Sequence, residues 1–229
     1  MNIFVAGIGS GNYELITLSA IEHAKCSDVI IVPRSKPDTI GMSEKVIMHI
    51  IKDKTIIPVH FPMIKSETNI EVIEVIYEQL IMHDWTNINS IFFPVIGDVM
   101  LYSTAEYLIE AFRKMDLNIN VEFIPGISAH SVASSIAKRF LAMRDEIFCV
   151  VSGTADPDRI IKAMRASDVI AVYKPRAIKN LRELVKTAGD FRKIIRVDYA
   201  GIPERESINE GIESLDEIHE YMSIVILWK

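Results

Sequence analysis

Alternation between short apolar runs and helical periodicity is the feature that most constrains the fold of this chain. Residues 3–8 form a short apolar run, and the apolar positions after it recur every three or four residues until residues 29–32 form a second run. Strand-like runs and helical segments continue to alternate up to the run at 90–96 and the helical segment at 104–114. Such a βαβ series predicts a mostly parallel sheet with helices on both faces.

A second α/β pattern follows the polar stretch 116–120. Its strand-like runs lie at 121–124, 147–151, 169–173, 194–199 and 223–227. The last of these runs is followed by no helical segment, which favours a mixed sheet. We therefore predict two α/β domains, a mostly parallel one at residues 1–118 and a mixed one at residues 119–229, with a ligand cleft between them.

Composition and charge exclude several classes of protein. The formal net charge of −6 argues against a general nucleic-acid binder, whose affinity comes mainly from neutralising phosphates. No apolar run approaches the roughly 18 residues that a membrane span needs, and the first residues do not resemble a signal peptide. Cys26 and Cys149 form no CxxC pair, so neither a disulfide framework nor a zinc site is indicated. We expect a cytoplasmic protein with no membrane partner and no bound metal.

Glycine-containing loops follow two of the predicted strands. In FFPVIGDVMLYST (92–104), the apolar run ends at Gly97-Asp98, which is either turn punctuation or part of a small-molecule site, because open α/β sheets bind ligands beyond the carboxyl ends of their strands. The glycines of GIGSGN (7–12) do not match the G-x-G-x-x-G dinucleotide fingerprint. A tight turn and the rim of a ligand cleft both remain open for this loop.

Other loops are predicted to lie at the same edge of the sheet. Arg34 and Lys36 follow the second strand, Met63 follows the third, and Pro125-Gly126 precedes a helix of small residues. The carboxyl ends of parallel strands share one edge of a wound sheet, so these loops are expected to converge on one site.

Taken together, the motifs resemble the tetrapyrrole methylase family, the S-adenosylmethionine-dependent enzymes of cobalamin and sirohaem synthesis, along nearly the whole chain. GIGSGNYELITLSA (7–20) is similar to the family's G-x-G-P-G-D-x-x-L-x-T, GDVMLYST (97–104) to its G-D-P loop, and FIPGISA (123–129) to its P-G-[IV]-[ST]-[SA]. Ser10 and Asn12 replace the proline and acid of the first motif, and Val99 replaces the proline of the second. The segments VPRSK, G-x-S (41–43) and HFPM look most like the branch that methylates C20 of precorrin-2 or its cobalt-containing counterpart.

This resemblance implies S-adenosyl-L-methionine as the methyl donor, a tetrapyrrole as the acceptor, and a homodimer. The first domain would carry the tetrapyrrole-facing loops and the Gly97-Asp98 loop, and the second would complete the donor site. The positions that match the family's donor contacts are Gly97, Asp98, Leu101, Ser128, Ala129, Tyr173, Ala200 and Ile202.

The acceptor carries many carboxylates, so an acidic protein needs a local basic rim to hold it. Arg34 is the strongest candidate, because a guanidinium pairs bidentately with a carboxylate. The predicted acceptor-binding residues are Gly9, Arg34, Lys36 and Met63. Further basic residues in or near the candidate loops are Lys65, Arg139, Arg144, Lys174 and Arg176.

The expected chemistry needs few catalytic groups, because a sulfonium methyl is already activated and an electron-rich tetrapyrrole supplies its own carbon nucleophile. The protein's main task is then to position the two reactants. A proton must leave the methylated carbon, and Tyr102 is the predicted acceptor, with Glu14 and His130 as alternatives. Two other functions remain open. The chain could methylate another acceptor, either a different tetrapyrrole position or a protein side chain, as in the diphthamide branch. It could also bind a nucleotide-like ligand without turnover.

Overall fold

The computed structural model describes residues 1–62 and 69–229, which form two α/β units. The first unit is Met1–Ser128 and the second is Ala129–Lys229. Among the helices of the described residues, none is both long enough and apolar enough to cross a membrane.

A five-stranded parallel sheet forms the first unit. Its strands are β1 (Asn2–Gly7), β2 (Val29–Arg34), β3 (Thr55–His60), β4 (Ser90–Val95) and β5 (Asn120–Ile124), in the order β3-β2-β4-β1-β5. Its helices are α1 (Leu18–Cys26), α2 (Met42–Ile50), α3 (Ile70–Leu80) and α4 (Ala105–Lys114). All its strand pairs are parallel, which confirms the predicted sheet.

Both faces of the first sheet are buried. Along β4, Ile91 and Phe93 pack into one apolar cluster with α3 and α4, whereas Phe92 packs into a second cluster with α1 and α2. Side chains alternate between the faces of a strand, so a strand covered on both faces is apolar at consecutive positions. That is why 90–96 appears in the sequence as a continuous apolar run.

The first unit is longer than the predicted first domain. Strand β5 pairs in parallel with β1, from Asn2 opposite Asn120 to Ala6 opposite Ile124, so it belongs to the first sheet. The polar stretch 116–120, which suggested a domain boundary, is mainly the connection between α4 and β5. The division therefore falls after Ser128 instead of after residue 118.

A mixed five-stranded sheet forms the second unit, as predicted. Its strands are β6 (Phe148–Ser152), β7 (Val169–Tyr173), β8 (Lys193–Asp198), β9 (Ser207–Glu210) and β10 (Ser223–Trp228), in the order β6-β7-β10-β8-β9. Its helices are α5 (Ala129–Ile136), α6 (Pro157–Ala166) and α7 (Leu181–Ala188). Strands β6 and β7 are parallel, and β10 is antiparallel to both β7 and β8. The sequence did not predict β9, a largely exposed strand of four residues at the sheet edge.

Candidate active site

Three glycines meet backbone to backbone at the carboxyl ends of β4, β1 and β5. Gly7 ends β1, Gly97 follows β4, and Gly126 follows β5. A Cβ atom on Gly7 would lie 2.6 Å from both the Gly126 nitrogen and the Gly97 oxygen, and a Cβ on Gly126 would overlap backbone atoms of Gly7 and Gly97. Backbone atoms cannot rotate out of the way as a flexible side chain can. The three loops can therefore approach this closely only with glycine at positions 7 and 126.

Gly97 is itself buried, yet the described part of the chain leaves the space beside its Cα unfilled. Its φ of +83° lies in the left-handed region that favours glycine, and a Cβ at this position would have no atom of the described residues within 4 Å. A hydrogen bond of 2.6 Å from the Gly97 N–H to the Gly9 carbonyl joins the two glycine loops. The loops are thus fixed relative to each other, and no other part of the described chain fills the space beside the Gly97 Cα.

Asp98 shapes the loop that it begins. Its Oδ1 accepts a hydrogen bond of 3.0 Å from the Met100 N–H, the pattern of an Asx turn. Val99 is only 3% exposed and anchors the loop in the apolar core. Leu101 is half-buried, and its N–H donates to the Asp98 carbonyl at 3.4 Å. The position of Asp98 is therefore set by the turn as well as by the strand before it.

Tyr102, the predicted proton acceptor, lines a groove of about 410 Å³ in the first unit. Its backbone has a φ of +52°, and its side chain is 41% exposed. Apolar groups from Val99, Ile109 and Phe123 line the same groove. The structure thus places the phenol at an open surface, and its role as a base stays a prediction.

Arg34 has an internal partner that the sequence did not reveal. Its Nε donates to Glu44 Oε2 at 2.7 Å, and a terminal nitrogen donates to Glu44 Oε1 at 2.5 Å. The other terminal nitrogen donates to the Pro37 carbonyl at 2.9 Å. The hydrogen bonds from Arg34 hold the pKa of the Glu44 carboxyl below its ordinary value, and the same pairing raises the pKa of Arg34.

This ion pair stabilises the loop between β2 and α2. The side chains of Arg34 and Glu44 are only 20% and 5% exposed, so the pair is largely shielded from water. Lys36 lies on the same loop and is exposed. Binding of the acceptor by Arg34 or Lys36 stays a prediction, whereas Arg34 also has an evident structural role. The predicted contacts Met63 and Lys65 lie outside the described residues.

Ser10 carries an unpaired polar group in the first glycine loop. It is 3% exposed, and its hydroxyl has no hydrogen-bond partner within the described parts of the chain. A buried hydroxyl without a partner costs about 1–3 kcal/mol. The neighbouring Gly9, a predicted acceptor contact, has a φ of +70° and packs against Leu15.

The predicted donor contacts of the second unit lie at one edge of its sheet. Strand β10 is antiparallel to both β7 and β8, so β7 and β8 run in the same direction and end at the same edge. Tyr173 and Val197 both lie opposite Ile224. Ala200 and Ile202 lie in the turn just after β8, at the edge at which Tyr173 ends β7.

The turn that carries Ala200 and Ile202 is held by several polar contacts. The Tyr199 hydroxyl donates to Glu220 at 2.5 Å, and the Gly201 N–H donates to Glu206 at 2.7 Å. The guanidinium carbon of Arg205 lies 3.5 Å from the centre of the Tyr199 ring. The hydrogen bond to Glu220 is the main reason why the pKa of Tyr199 is raised. These contacts fix the turn before any ligand binds.

His130 contacts Tyr173 across the same edge. The Tyr173 hydroxyl lies 2.9 Å from His130 Nδ1 and 3.3 Å from the His130 backbone nitrogen. The sequence alone indicates His130 only as an alternative proton acceptor. The two residues are 43 positions apart, and no local pattern connects them.

The first unit is thus an open parallel α/β sheet whose glycine loops meet at the carboxyl ends of its strands, the place where proteins of this class bind small molecules. A family model described as Tetrapyrrole (Corrin/Porphyrin) Methylases matches residues 2–216. The chain therefore belongs to the tetrapyrrole methylase family, as its motifs predicted.

Individual relatives agree with this family. A protein of Methanocaldococcus jannaschii named "Probable cobalt-precorrin-2 C(20)-methyltransferase" is 25% identical over 232 residues, which cover 98% of this chain and 95% of the relative. A protein of Salmonella typhimurium named "Probable cobalt-factor III C(17)-methyltransferase" is 26% identical over 184 residues, covering 76% of this chain and 66% of the relative. A solved structure of uroporphyrin-III C-methyl transferase from Thermus thermophilus, complexed with S-adenosylhomocysteine, has a TM-score of 0.70 and 17% identity, with coverage of 100% of this chain and 98% of that one.

Proposed function

We propose that this chain is an S-adenosylmethionine-dependent methyltransferase that methylates C20 of precorrin-2 or cobalt-precorrin-2 in cobalamin biosynthesis. Membership of the tetrapyrrole methylase family supports the reaction type. The Methanocaldococcus jannaschii relative, whose name specifies C20, supports the position, because its similarity extends over 98% of this chain.

The observation that carries the donor assignment is the unfilled space beside the Gly97 Cα, at the carboxyl end of β4. A side chain there would project into space that no described residue fills, so there is room beside the loop for part of a bound molecule. The donor supplies an activated methyl group on a sulfonium. The chain's own residues would hold it through the loop from Gly97 and Asp98 to Leu101 and through Ser128 and Ala129. Donor contacts by Tyr173, Ala200 and Ile202 belong to the same proposal.

Positioning is the chain's main contribution to the reaction. Holding two reactants in the correct orientation can lower the activation barrier by up to roughly 7–11 kcal/mol. The protein therefore does not need to supply a strong nucleophile of its own. Loops fixed by backbone contacts suit this task, because they bind without first having to be ordered. We assign to Tyr102 the removal of the proton from the methylated carbon, and acceptor binding to Gly9, Arg34, Lys36 and Met63.

Product analysis with labelled donor tests the proposal. The purified protein is incubated with S-adenosylmethionine, isotopically labelled in the methyl carbon, and with precorrin-2 or cobalt-precorrin-2. Mass spectrometry should show one added methyl, and carbon NMR should place the label on C20. Comparison of the rates with and without cobalt identifies the preferred acceptor, and light scattering tests the expected homodimer.

A second candidate is methylation of a different tetrapyrrole position. The relative from Salmonella typhimurium, whose name specifies C17, supports it with 26% identity over 184 residues. A label on a pyrrole-ring carbon would establish this alternative and reject C20. If the donor binds and no tetrapyrrole is labelled, a protein acceptor or a binding function without turnover would have to replace both proposals.

A further inference from the structure

The Tyr173 hydroxyl connects two segments that are both assigned to donor binding. Tyr173 ends β7, whereas His130 is the second residue of α5 and directly follows Ser128 and Ala129. The hydroxyl lies within hydrogen-bond distance of both the backbone nitrogen and Nδ1 of His130, at 3.3 and 2.9 Å. One phenol thus ties the end of a strand to the beginning of a helix.

The chemistry of the three groups determines which atom donates. A backbone N–H can only donate, so the phenol oxygen accepts from the His130 N–H. The phenol proton is then directed to Nδ1, which accepts it when the imidazole is neutral and carries its own hydrogen on Nε2. Phe148 packs on the imidazole, with 5.3 Å between the ring centres. His130 is therefore held by an aromatic neighbour as well as by the phenol.

The backbone of Tyr173 is fixed independently of its hydroxyl. Its carbonyl accepts a hydrogen bond of 2.6 Å from the Gly153 N–H, and the next residue, Lys174, turns the chain with a φ of +52°. Tyr173 also pairs with Ile224 on β10 and with Ser152 on β6. Because the backbone and the phenol are both held, the ring can contact a ligand with little loss of rotamer freedom.

We propose that His130 is a positioning residue that sets donor affinity by fixing the Tyr173 ring through Nδ1. This inference rests on the proposed function, because it takes S-adenosylmethionine as the ligand of the Tyr173 edge. It gives His130 a role that differs from proton removal, since His130 acts through Tyr173 and need not touch the reacting carbon.

Two amide substitutions at His130 separate this role from a general packing effect. In His130→Asn, the amide places an acceptor oxygen near the position of Nδ1, whereas in His130→Gln the polar atoms lie one bond farther along the side chain. Tyr173→Phe removes the hydroxyl itself. Tyr221→Phe is the matched control, because it makes the same change at a tyrosine that is 65% exposed in the same unit.

Calorimetry with S-adenosylhomocysteine measures the effect on the folded protein. We expect Tyr173→Phe and His130→Gln to weaken binding about tenfold, which corresponds to about 1.4 kcal/mol. His130→Asn and the Tyr221 control should remain within about twofold of wild type. With the tetrapyrrole acceptor, the first two variants should raise KM for the donor and leave KM for the acceptor unchanged. Circular dichroism confirms that each variant is folded.

Three results would overturn the inference. Equal loss of affinity in His130→Asn and His130→Gln would show that packing matters and Nδ1 does not. Wild-type affinity in Tyr173→Phe would show that the hydroxyl does not influence donor binding. If wild-type protein binds no S-adenosylhomocysteine, the proposed function fails and this inference fails with it, a result distinct from the other two.

Discussion

Replacement of Glu44 by glutamine should destabilise the first unit by about 2 kcal/mol. Glu44 accepts two hydrogen bonds from the Arg34 guanidinium, and hydrogen bonds to charged groups contribute about 1.5–3 kcal/mol each. Removing one partner of a fully buried ion pair costs about 3–5 kcal/mol. The effect should be smaller here, because the Arg34 side chain is 20% exposed and glutamine retains one acceptor oxygen.

A double-mutant cycle in urea measures this interaction at neutral pH. The variants are Glu44→Gln, Arg34→Gln and the double substitution, and the cycle gives the coupling energy between the two side chains. We expect a coupling of about 1.5 kcal/mol or more. Glu183→Gln is the control, because the pair of Glu183 with Lys186 is exposed and its loss should leave the free energy of unfolding unchanged within error. A coupling below about 0.5 kcal/mol would refute the structural role of the pair.

The same interaction predicts a specific pH dependence. Arg34 lowers the pKa of Glu44 in the folded protein, so the stabilisation is fully present above the unfolded-state pKa of about 4.3. It should be lost as the pH falls through the lower folded-state pKa. In Glu44→Gln, the free energy of unfolding should therefore fall less steeply than in wild type as the pH is lowered from about 5. Parallel curves for the two proteins would contradict the proposed pKa.

Three further substitutions test other parts of the site. Gly126→Ala should cost about 1–3 kcal/mol in urea unfolding, because its Cβ would overlap the backbone of Gly7 and Gly97, and an unchanged midpoint would disprove the close approach. Ser10→Ala should leave thermal stability without ligand unchanged or slightly higher, because it removes a buried hydroxyl that has no partner in the described residues; a clear loss would show that the hydroxyl is paired. Asp98→Ala should weaken S-adenosylhomocysteine binding about tenfold in a folded protein, and wild-type affinity would remove Asp98 from the donor site.

Local patterns were sufficient to predict most of the secondary structure. The run at 169–173 predicted β7 at its observed bounds, and most other predicted elements differ by one to three residues at their ends. The error in the domain boundary has a different cause. The sequence of β5 predicts a strand but does not specify its partner, and the pairing with β1 is decided by contacts more than a hundred residues apart in the chain. Strand β9 has little apolar patterning, because it lies largely exposed at a sheet edge.

The candidate site was predictable where topology alone determines position. Parallel strands end at a common edge, so the convergence of Gly9, Arg34 and Gly97 on the first sheet follows from the βαβ pattern. The partner of Arg34 was not predicted, although the spacing Gly41-x-x-Glu44 could have indicated it. An acidic third residue of a helix often accepts a hydrogen bond from the residue before the helix. Here Glu44 accepts from the Gly41 N–H at 3.4 Å, in addition to its bonds with Arg34. No such signal exists for His130 and Tyr173, which meet only after the second sheet has formed.

The departures of the first glycine loop from the family motif can be explained by the same contacts. Asn12 replaces an acid, but its side-chain oxygen accepts from the Glu14 N–H at 2.9 Å and so caps the short helix Tyr13–Leu15. A carboxylate oxygen at this position would cap the helix in the same way. Gly9 keeps its left-handed backbone and its hydrogen bond with Gly97 although serine replaces the neighbouring proline. The shape of this loop therefore depends on its glycines and on an oxygen that can cap the helix. The charge at position 12 and the ring at position 10 are not needed for that shape, so a sequence can lose both and still present the same backbone at the edge of the sheet.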